Sequence, residues 1–351
     1  MTSPLSGRRV LVTGHTGFKG TWLSMWLDRL GAHVGGFALE PDTTPALFSQ
    51  LRMETRLQHI VGDVRNPSAL TACIETVAPD VIFHLAAQPL VLRSYREPQE
   101  TWATNVLGTV NLLEAVRAAK RSCAVVVVTT DKVYHNREWV HAYRETDRLG
   151  GHDPYSASKA ATELVVDSYR RSFFADGRIR LASARSGNVI GGGDWAQERI
   201  IPDLIRALAS GNALPVRNPA AIRPWQHVLD PLRGYIMMAE RLLAGDRTVE
   251  DSFNFAPDAE DQRSVRHLVE RSLKTWPGTW LDASRPSDLH EAGRLQLATE
   301  KAKNVLGWSP VWNFETAVDE TIGWYRDEHR GTAPEALVER QISMFEAHGR
   351  A

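Results

Sequence analysis

From Arg9 to about Arg185 the chain alternates short, almost unbroken apolar runs with longer stretches whose apolar residues recur at helical spacing. The runs Val10–Thr13, His33–Phe37, His59–Gly62, Val81–Leu85, Ala124–Thr129 and Leu181–Arg185 have no polar face, which predicts strands covered on both sides. Helices are predicted over Gly17–Leu30, around Pro98–Ala119 and over Pro154–Phe173. Val106, Val110, Leu113 and Val116 illustrate the spacing. Strands and helices in alternation predict an α/β fold, a doubly wound parallel sheet of Rossmann type with at least six strands.

Past Arg185 the pattern changes to a Gly-rich stretch and then shorter elements rich in Pro, Arg and Trp. This predicts a smaller α/β lobe over the carboxyl edge of the sheet. Residues 1–186 are expected to form the dinucleotide-binding domain and residues 187–351 most of a substrate-binding lobe. The boundary is discontinuous, since Pro215–Arg217 and Ser252–Phe255 read as strands returning to the large domain.

A length of 351 residues allows one large or two closely joined domains, and 43% hydrophobic with 24% charged residues is an ordinary globular balance. With 41 basic against 42 acidic residues, no net field favours nucleic acid or an anionic membrane surface. Cys73 and Cys123 have neither pairing nor metal-ligand spacing and read as buried thiols. No apolar run reaches a membrane span or a signal peptide, so a cytoplasmic location is expected. No histidine cluster suggests a metal.

The first predicted strand ends in TGHTGFKG, which puts Gly14, Thr16, Gly17, Phe18, Lys19 and Gly20 in a strand-to-helix turn. Glycines there allow a tight turn and close approach of backbone to a pyrophosphate, and the helix start offers N–H groups and positive dipole. Asp63 follows the third strand and reads either as an acceptor for an adenine amino group or as a helix N-cap, a role for which Asn66 competes. No carboxylate stands directly at the end of the second strand, but Glu40 and Asp42 lie just beyond, which favours NAD over NADP.

Tyr155 and Lys159 are four residues apart and share one helix face. A neighbouring ammonium lowers a phenol's pKa, so Tyr155 is expected to serve as a base. Thr129, Thr130, Asp131 and Lys132 close the apolar run 124–128 at the sheet edge where doubly wound folds bind ligands. Packing alone gives no reason for four polar residues there. Arg199, Arg217 and Arg223 suit a diphosphate, with Asn188 as a further phosphate or sugar ligand. Trp195 or Trp225 could stack on a base or belong to the core. His84 reads as structural.

TGHTGFKG, HLAAQ (His84–Gln88), NVLGT, TTDK, YSASK and RSGNVIGGGDW together resemble the extended short-chain dehydrogenase/reductase family in its sugar-nucleotide branch. NREWV, GGHDPYS, RNPAAIRPWQHV and LGWSPVWN extend the resemblance, over nearly the whole chain, to the 4,6-dehydratases of CDP-linked glucose. It implies bound NAD, with Val64, Leu85, Ala86 and Ala87 beside the cofactor and Gln88 beside the substrate. It implies Tyr155 as base at the sugar C4 hydroxyl, Lys159 on the nicotinamide ribose, Thr130 on the C4 oxygen and Asp131 as acid for the departing C6 hydroxyl. Lys132 would act either as the C5 base or by stabilising the enolate. A homodimer through the helices near 98–119 and 154–173 is implied too. An epimerase of the same fold and a non-catalytic NAD-binding protein are the alternatives. Thr130, Val133, Leu92 and Ser186 depart from the residues usual in that group, and Leu92 removes a cation.

Overall fold

The computed structural model describes residues 3–284 and 295–349. Six parallel strands come first: β1 (Arg9–Thr13), β2 (His33–Ala38), β3 (Gln58–Val61), β4 (Val81–His84), β5 (Cys123–Val128) and β6 (Ile179–Ser186). The short strands β7 (Val189–Ile190), β8 (Leu214–Val216), β9 (Ile222–Arg223), β10 (Gln226–His227), β11 (Ser252–Phe255), β12 (Arg263–Ser264) and β13 (Trp280–Asp282) follow. The main sheet has seven strands in the order β11-β6-β5-β4-β1-β2-β3, every pairing parallel.

The unbroken apolar runs are explained by two cores, one on each face of the sheet. Val10, Val12, Val81, Phe83, Val126 and Val128 enter one, and their neighbours Leu11, Ile82, Val125 and Val127 enter the other. Helices Pro67–Val77, Gly108–Ala119 and Pro154–Ser172 cover the second core. Helices Phe18–Arg29, Leu229–Leu243, Phe314–His329 and Pro334–His348 cover the first. Chain order reverses between β1 and β4, so a crevice opens at their carboxyl ends.

Three expectations need correction. The third strand lies at the sheet's edge and Val61 is half exposed, so it is not covered on both faces. The helix expected over Pro98–Ala119 is interrupted: Pro98–Trp102 and Gly108–Ala119 flank a π-helical turn at Ala103–Leu107. That turn is held by Asn105, whose carboxamide bonds Gln88 and Ser158 and whose carbonyl accepts from Thr109 and Thr162. Helical periodicity does not register one extra residue in a turn. Finally, β11 joins the main sheet beside β6, but Leu214–Val216 pairs with β13 instead of returning to it. Three-residue strands carry too little pattern to name their partner.

Candidate active site

A cleft of about 1220 Å³ runs along the carboxyl ends of β1, β4, β5 and β6 and under the smaller lobe. Its floor begins at the glycine loop. Gly14 has φ of +76°, and a Cβ there would fall 2.7 Å from the Ala86 nitrogen; one at Gly20 would fall 2.1 Å from the Gly14 carbonyl. Both glycines are required by packed backbone. Gly17 differs: it caps the helix Phe18–Arg29 without a side-chain bond, and a Cβ there meets only the Gly14 oxygen at 3.5 Å. The open N–H groups of that helix start, with Gly17 facing the cleft, fit a dinucleotide pyrophosphate. Thr16 Oγ1 fastens the loop to the Leu39 carbonyl at 2.8 Å.

Phe18, Val64, Leu85, Ala86 and Ala87 line the same cleft. So does Asp63, but its carboxylate is held by Arg65, whose Nε lies 2.8 Å from Oδ2 and whose backbone N–H lies 2.8 Å from Oδ1. Arg65 keeps Asp63 below the usual carboxylate range. The N-cap after it is Asn66, which accepts from Ala69 at 3.2 Å. Lys19 turns away from the loop and donates to Ser186 Oγ at 3.1 Å, and Ser186 meets the Tyr235 hydroxyl at 2.5 Å. Burial pulls the Lys19 ammonium down to about 7, helped by the facing Arg199. It therefore stands between the cofactor loop and the substrate lobe.

Gln88 also lines the cleft, but its side chain builds the turn at 88–90 rather than reaching outward. Its amide group donates to the Leu90 carbonyl and to Thr101 Oγ1, and its carbonyl accepts from Leu90 N. His84 is buried between the hydroxyls of Thr13 at 2.7 Å and Thr109 at 3.1 Å, and burial pushes it down to about 3. It is structural, held by side-chain hydroxyls and not by backbone.

The reactive groups meet at the end of β5. Asp153 caps the helix Pro154–Ser172, accepting from Ser156 N at 2.9 Å, and Tyr155 in the first turn reaches the cleft. Thr130 Oγ1 donates to Asp131 Oδ1 at 2.9 Å, and the Thr130 hydroxyl facing Tyr155 works to lower the phenol's pKa. Asn188 Nδ2 donates to the other carboxylate oxygen at 2.8 Å. Lys132 lines the cleft with its ammonium 3.9 Å from Asp131. Alone among the candidate site residues, Asp131 is closed off from the cleft wall, lying with no exposed surface behind Gly187 and Asn188.

The charge relation expected of Tyr155 and Lys159 takes another form. Burial raises the Tyr155 phenol to about 12; the Thr130 bond and the Arg199 charge work against it, while Asp131 adds to it. Lys159 is buried too, donating to the Val128 carbonyl at 3.1 Å, and burial brings it down to about 8. A four-residue spacing places the two groups together, but it does not report that both leave water.

In the smaller lobe, Arg199 pairs with Asp194 at 2.9 Å and faces Tyr155, which brings it closer to the reactive centre than a remote diphosphate clamp. Arg223 is buried in the cleft wall, donating to the Ile222 carbonyl at 3.0 Å, and Arg217 is exposed at the far end. Trp195 packs edge-on against Tyr325, and Trp225 is buried with its indole N–H on the Arg263 carbonyl. Both are packing residues that also touch the cleft.

Sequence reading passed over His15, Asn105 and Glu163, and gave Ser186 no role in the site. His15 is buried between Phe48 and His59, and a Cβ at Gly36 would fall 2.3 Å from its ring, which accounts for a second glycine in β2. A large residue inside a glycine loop is a signal for such a partner. Glu163 carried one as well, since it stands one helical turn beyond Lys159.

Residues 11–321 match the family described as GDP-mannose 4,6 dehydratase. The chain is 44% identical over 346 residues to a CDP-glucose 4,6-dehydratase of Salmonella typhimurium, covering 97% of this chain and 96% of that protein. It is 27% identical to a dTDP-glucose 4,6-dehydratase of Xanthomonas campestris, over 90% and 92% of the two chains. Among solved structures it resembles DesIV, a dTDP-glucose 4,6-dehydratase from Streptomyces venezuelae crystallised with NAD, with a TM-score of 0.79 and 26% identity over 93% and 99% of the chains.

Proposed function

The chain belongs to the GDP-mannose 4,6-dehydratase family, and from that premise we propose that it converts CDP-glucose to CDP-4-keto-6-deoxyglucose. The observation that carries this reading is Asp131, bonded by Thr130 and beside Lys132, at the strand end that faces Tyr155. A 4-epimerase has use for Tyr155 but none for an acid and a lysine next to it, because no hydroxyl leaves.

Residues 1–186 hold the cofactor and residues 187–351 most of the substrate. Gly14, Gly17 and Gly20 cradle the NAD pyrophosphate, with Asp63, Val64 and Leu85–Ala87 along the rest of the cofactor. Bound NAD supplies a hydride acceptor at C4 and the same hydride later at C6. Tyr155 takes the proton of the C4 hydroxyl while Thr130 holds the oxygen. Lys159 donates to the nicotinamide ribose. Once C4 is a ketone the C5 proton is acidic; Lys132 takes it or stabilises the enolate, and Asp131 protonates the departing C6 hydroxyl once Gly187 and Asn188, which cover it, give it access. Asn188, Arg199, Arg217 and Arg223 hold the sugar and diphosphate. A placed general acid or base contributes roughly 10² to 10⁴ in rate.

Incubating the protein with CDP-glucose and NAD should yield a 4-keto-6-deoxy product with no net build-up of NADH. Turnover of dTDP- or UDP-glucose in place of CDP-glucose would remove the substrate assignment. A 4-epimerised product would remove the dehydration.

The enzyme is a homodimer in this reading. Trp102, Leu107, Leu164 and Phe173 expose 41 to 61% of their surface on the helical segment 98–107 and on Pro154–Ser172 and its end. Large apolar residues gathered on neighbouring helices suit a four-helix contact with a second copy. Sedimentation as a monomer at micromolar concentration would contradict it. The free, buried Cys73 and Cys123 support a reducing cytoplasm as its location.

A further inference from the structure

Glu163 lies one turn beyond Lys159 on the helix Pro154–Ser172, and its side chain is 3% exposed. Its Oε1 accepts from Thr129 at 2.5 Å, and its Oε2 accepts from Ser183 and from Arg185, both at 2.8 Å. Arg185 is 4% exposed and is fixed in turn by the Tyr134 hydroxyl at 2.8 Å and the Glu145 carbonyl at 3.0 Å. A buried ion pair is a weak source of stability, since desolvation offsets most of the attraction. Its presence here calls for another account. The carboxylate is tied to the ends of β5 and β6, next to the residues that carry the chemistry.

Lys159 donates to the Val128 carbonyl at 3.1 Å. The charged or titratable groups that face it are few: Glu163 and Tyr155 on its own helix, Lys19 from the glycine-loop helix and His84 from the end of β4. Lys19 repels it and His84 is neutral, so Glu163 is the group that opposes the effect of burial. Burial also works to raise the Glu163 carboxyl, but Arg185 and the two hydroxyls outweigh it and keep Glu163 charged.

We propose that Glu163, locked by Arg185, is a positioning residue that keeps the buried Lys159 ammonium charged and in place at the end of β5. The inference rests on the dehydratase reading for what Lys159 serves, but its charge state can be read without turnover. Only seven lysines occur in the chain, so ¹³Cε-lysine NMR of the cofactor-free protein, with Lys159 assigned by its loss in Lys159→Ala, follows its titration directly.

In Glu163→Gln, which keeps the shape and the acceptor oxygen, the Lys159 titration and the alkaline limb of CDP-glucose turnover move down by about one pH unit or more. In Arg185→Gln, which removes the cation that keeps Glu163 charged, both move down as well. Glu163→Asp retains the charge and titrates close to wild type. A merely structural pair would lower the melting temperature in both amide variants and leave the titration in place, and that result overturns the proposal. So does an upward shift in either. Should Glu163→Gln fail to fold, Arg185→Gln and Glu163→Asp decide it by the same criteria. If wild type leaves CDP-glucose untouched, the dehydratase reading falls while the titrations still test the Glu163 role.

Discussion

Asn188 donates to Asp131 Oδ2 at 2.8 Å from a backbone with φ of +51°, in the left-handed region. Asparagine tolerates that region better than most residues, and here it lets the end of β6 reach back over the end of β5. Gly187 completes the closure, since a Cβ there would fall 2.0 Å from Asp131 Cγ. The carboxylate is thus aimed and shielded by its neighbours.

Asp131→Asn should therefore cut turnover by roughly 10² to 10⁴, the usual weight of a placed acid. Because C4 oxidation does not use that acid, reduced nicotinamide should accumulate in the variant on mixing with CDP-glucose, seen as its near-ultraviolet absorbance. Asn188→Ala, which releases the carboxylate, removes a substrate contact and puts alanine at a left-handed φ, should cost about tenfold to a hundredfold. Equal losses in both half-reactions would argue that Asp131 is structural.

Tyr155→Phe removes the one group positioned to take the C4 proton, and a loss of roughly 10² to 10⁴ in turnover is expected. The ring stays and the Thr130–Asp131 bond is untouched, so NAD affinity should change little. Calorimetric titration of NAD into the variant checks this. Turnover at the wild-type rate would undo the assignment of Tyr155 as base.

Acid should unfold the protein through its buried histidines. Burial pushes His15, His84 and His227 each to about 3, against 6.5 for the free side chain. Their folded values are depressed, so below pH 6.5 the unfolded chain binds protons that the folded chain refuses. Stability from this source is full above 6.5 and is lost as pH falls from there towards 3. The slope is about 1.4 kcal/mol per pH unit for each fully engaged histidine. Melting temperatures between pH 7 and 4 should drop, with close to three protons taken up on unfolding near pH 5. Uptake of none would mean that the three rings are already protonated when folded.

Most of the sheet was legible because strands buried on both faces leave an unmistakable run: Val10 to Val12 and Val125 to Val127 each alternate between the two cores. The site was legible to the same depth, since spacing and motif name which residues reach the cleft. Spacing says nothing of the surrounding medium. Tyr155 and Lys159 both line the cleft, yet burial moves each away from its ordinary value, and the counter-charge at Glu163 enters only through the donors of β5 and β6. Gln88 and Asn105 illustrate the same limit. Each amide could serve a ligand or a turn, and the three-dimensional hydrogen bonds assign them to the turn at 88–90 and the π-helical segment.

Gly17 and Gly20 separate two roles that one motif combines. At Gly20 an alanine Cβ would lie 2.1 Å from the Gly14 carbonyl and 2.7 Å from His15 Cα, both backbone atoms that cannot swing aside. Gly20→Ala should lose about 1 to 3 kcal/mol of stability even without cofactor, as overpacked sites do. At Gly17 the same methyl has room, and φ of −78° suits alanine, so the melting temperature should stay within about 0.5 kcal/mol equivalent of wild type. The methyl would instead stand where a pyrophosphate approaches the helix start, and NAD affinity should fall by about tenfold or more. Paired thermal melts and NAD titrations test the separation. If Gly17→Ala binds NAD as wild type does, the pyrophosphate does not cross that face of the loop.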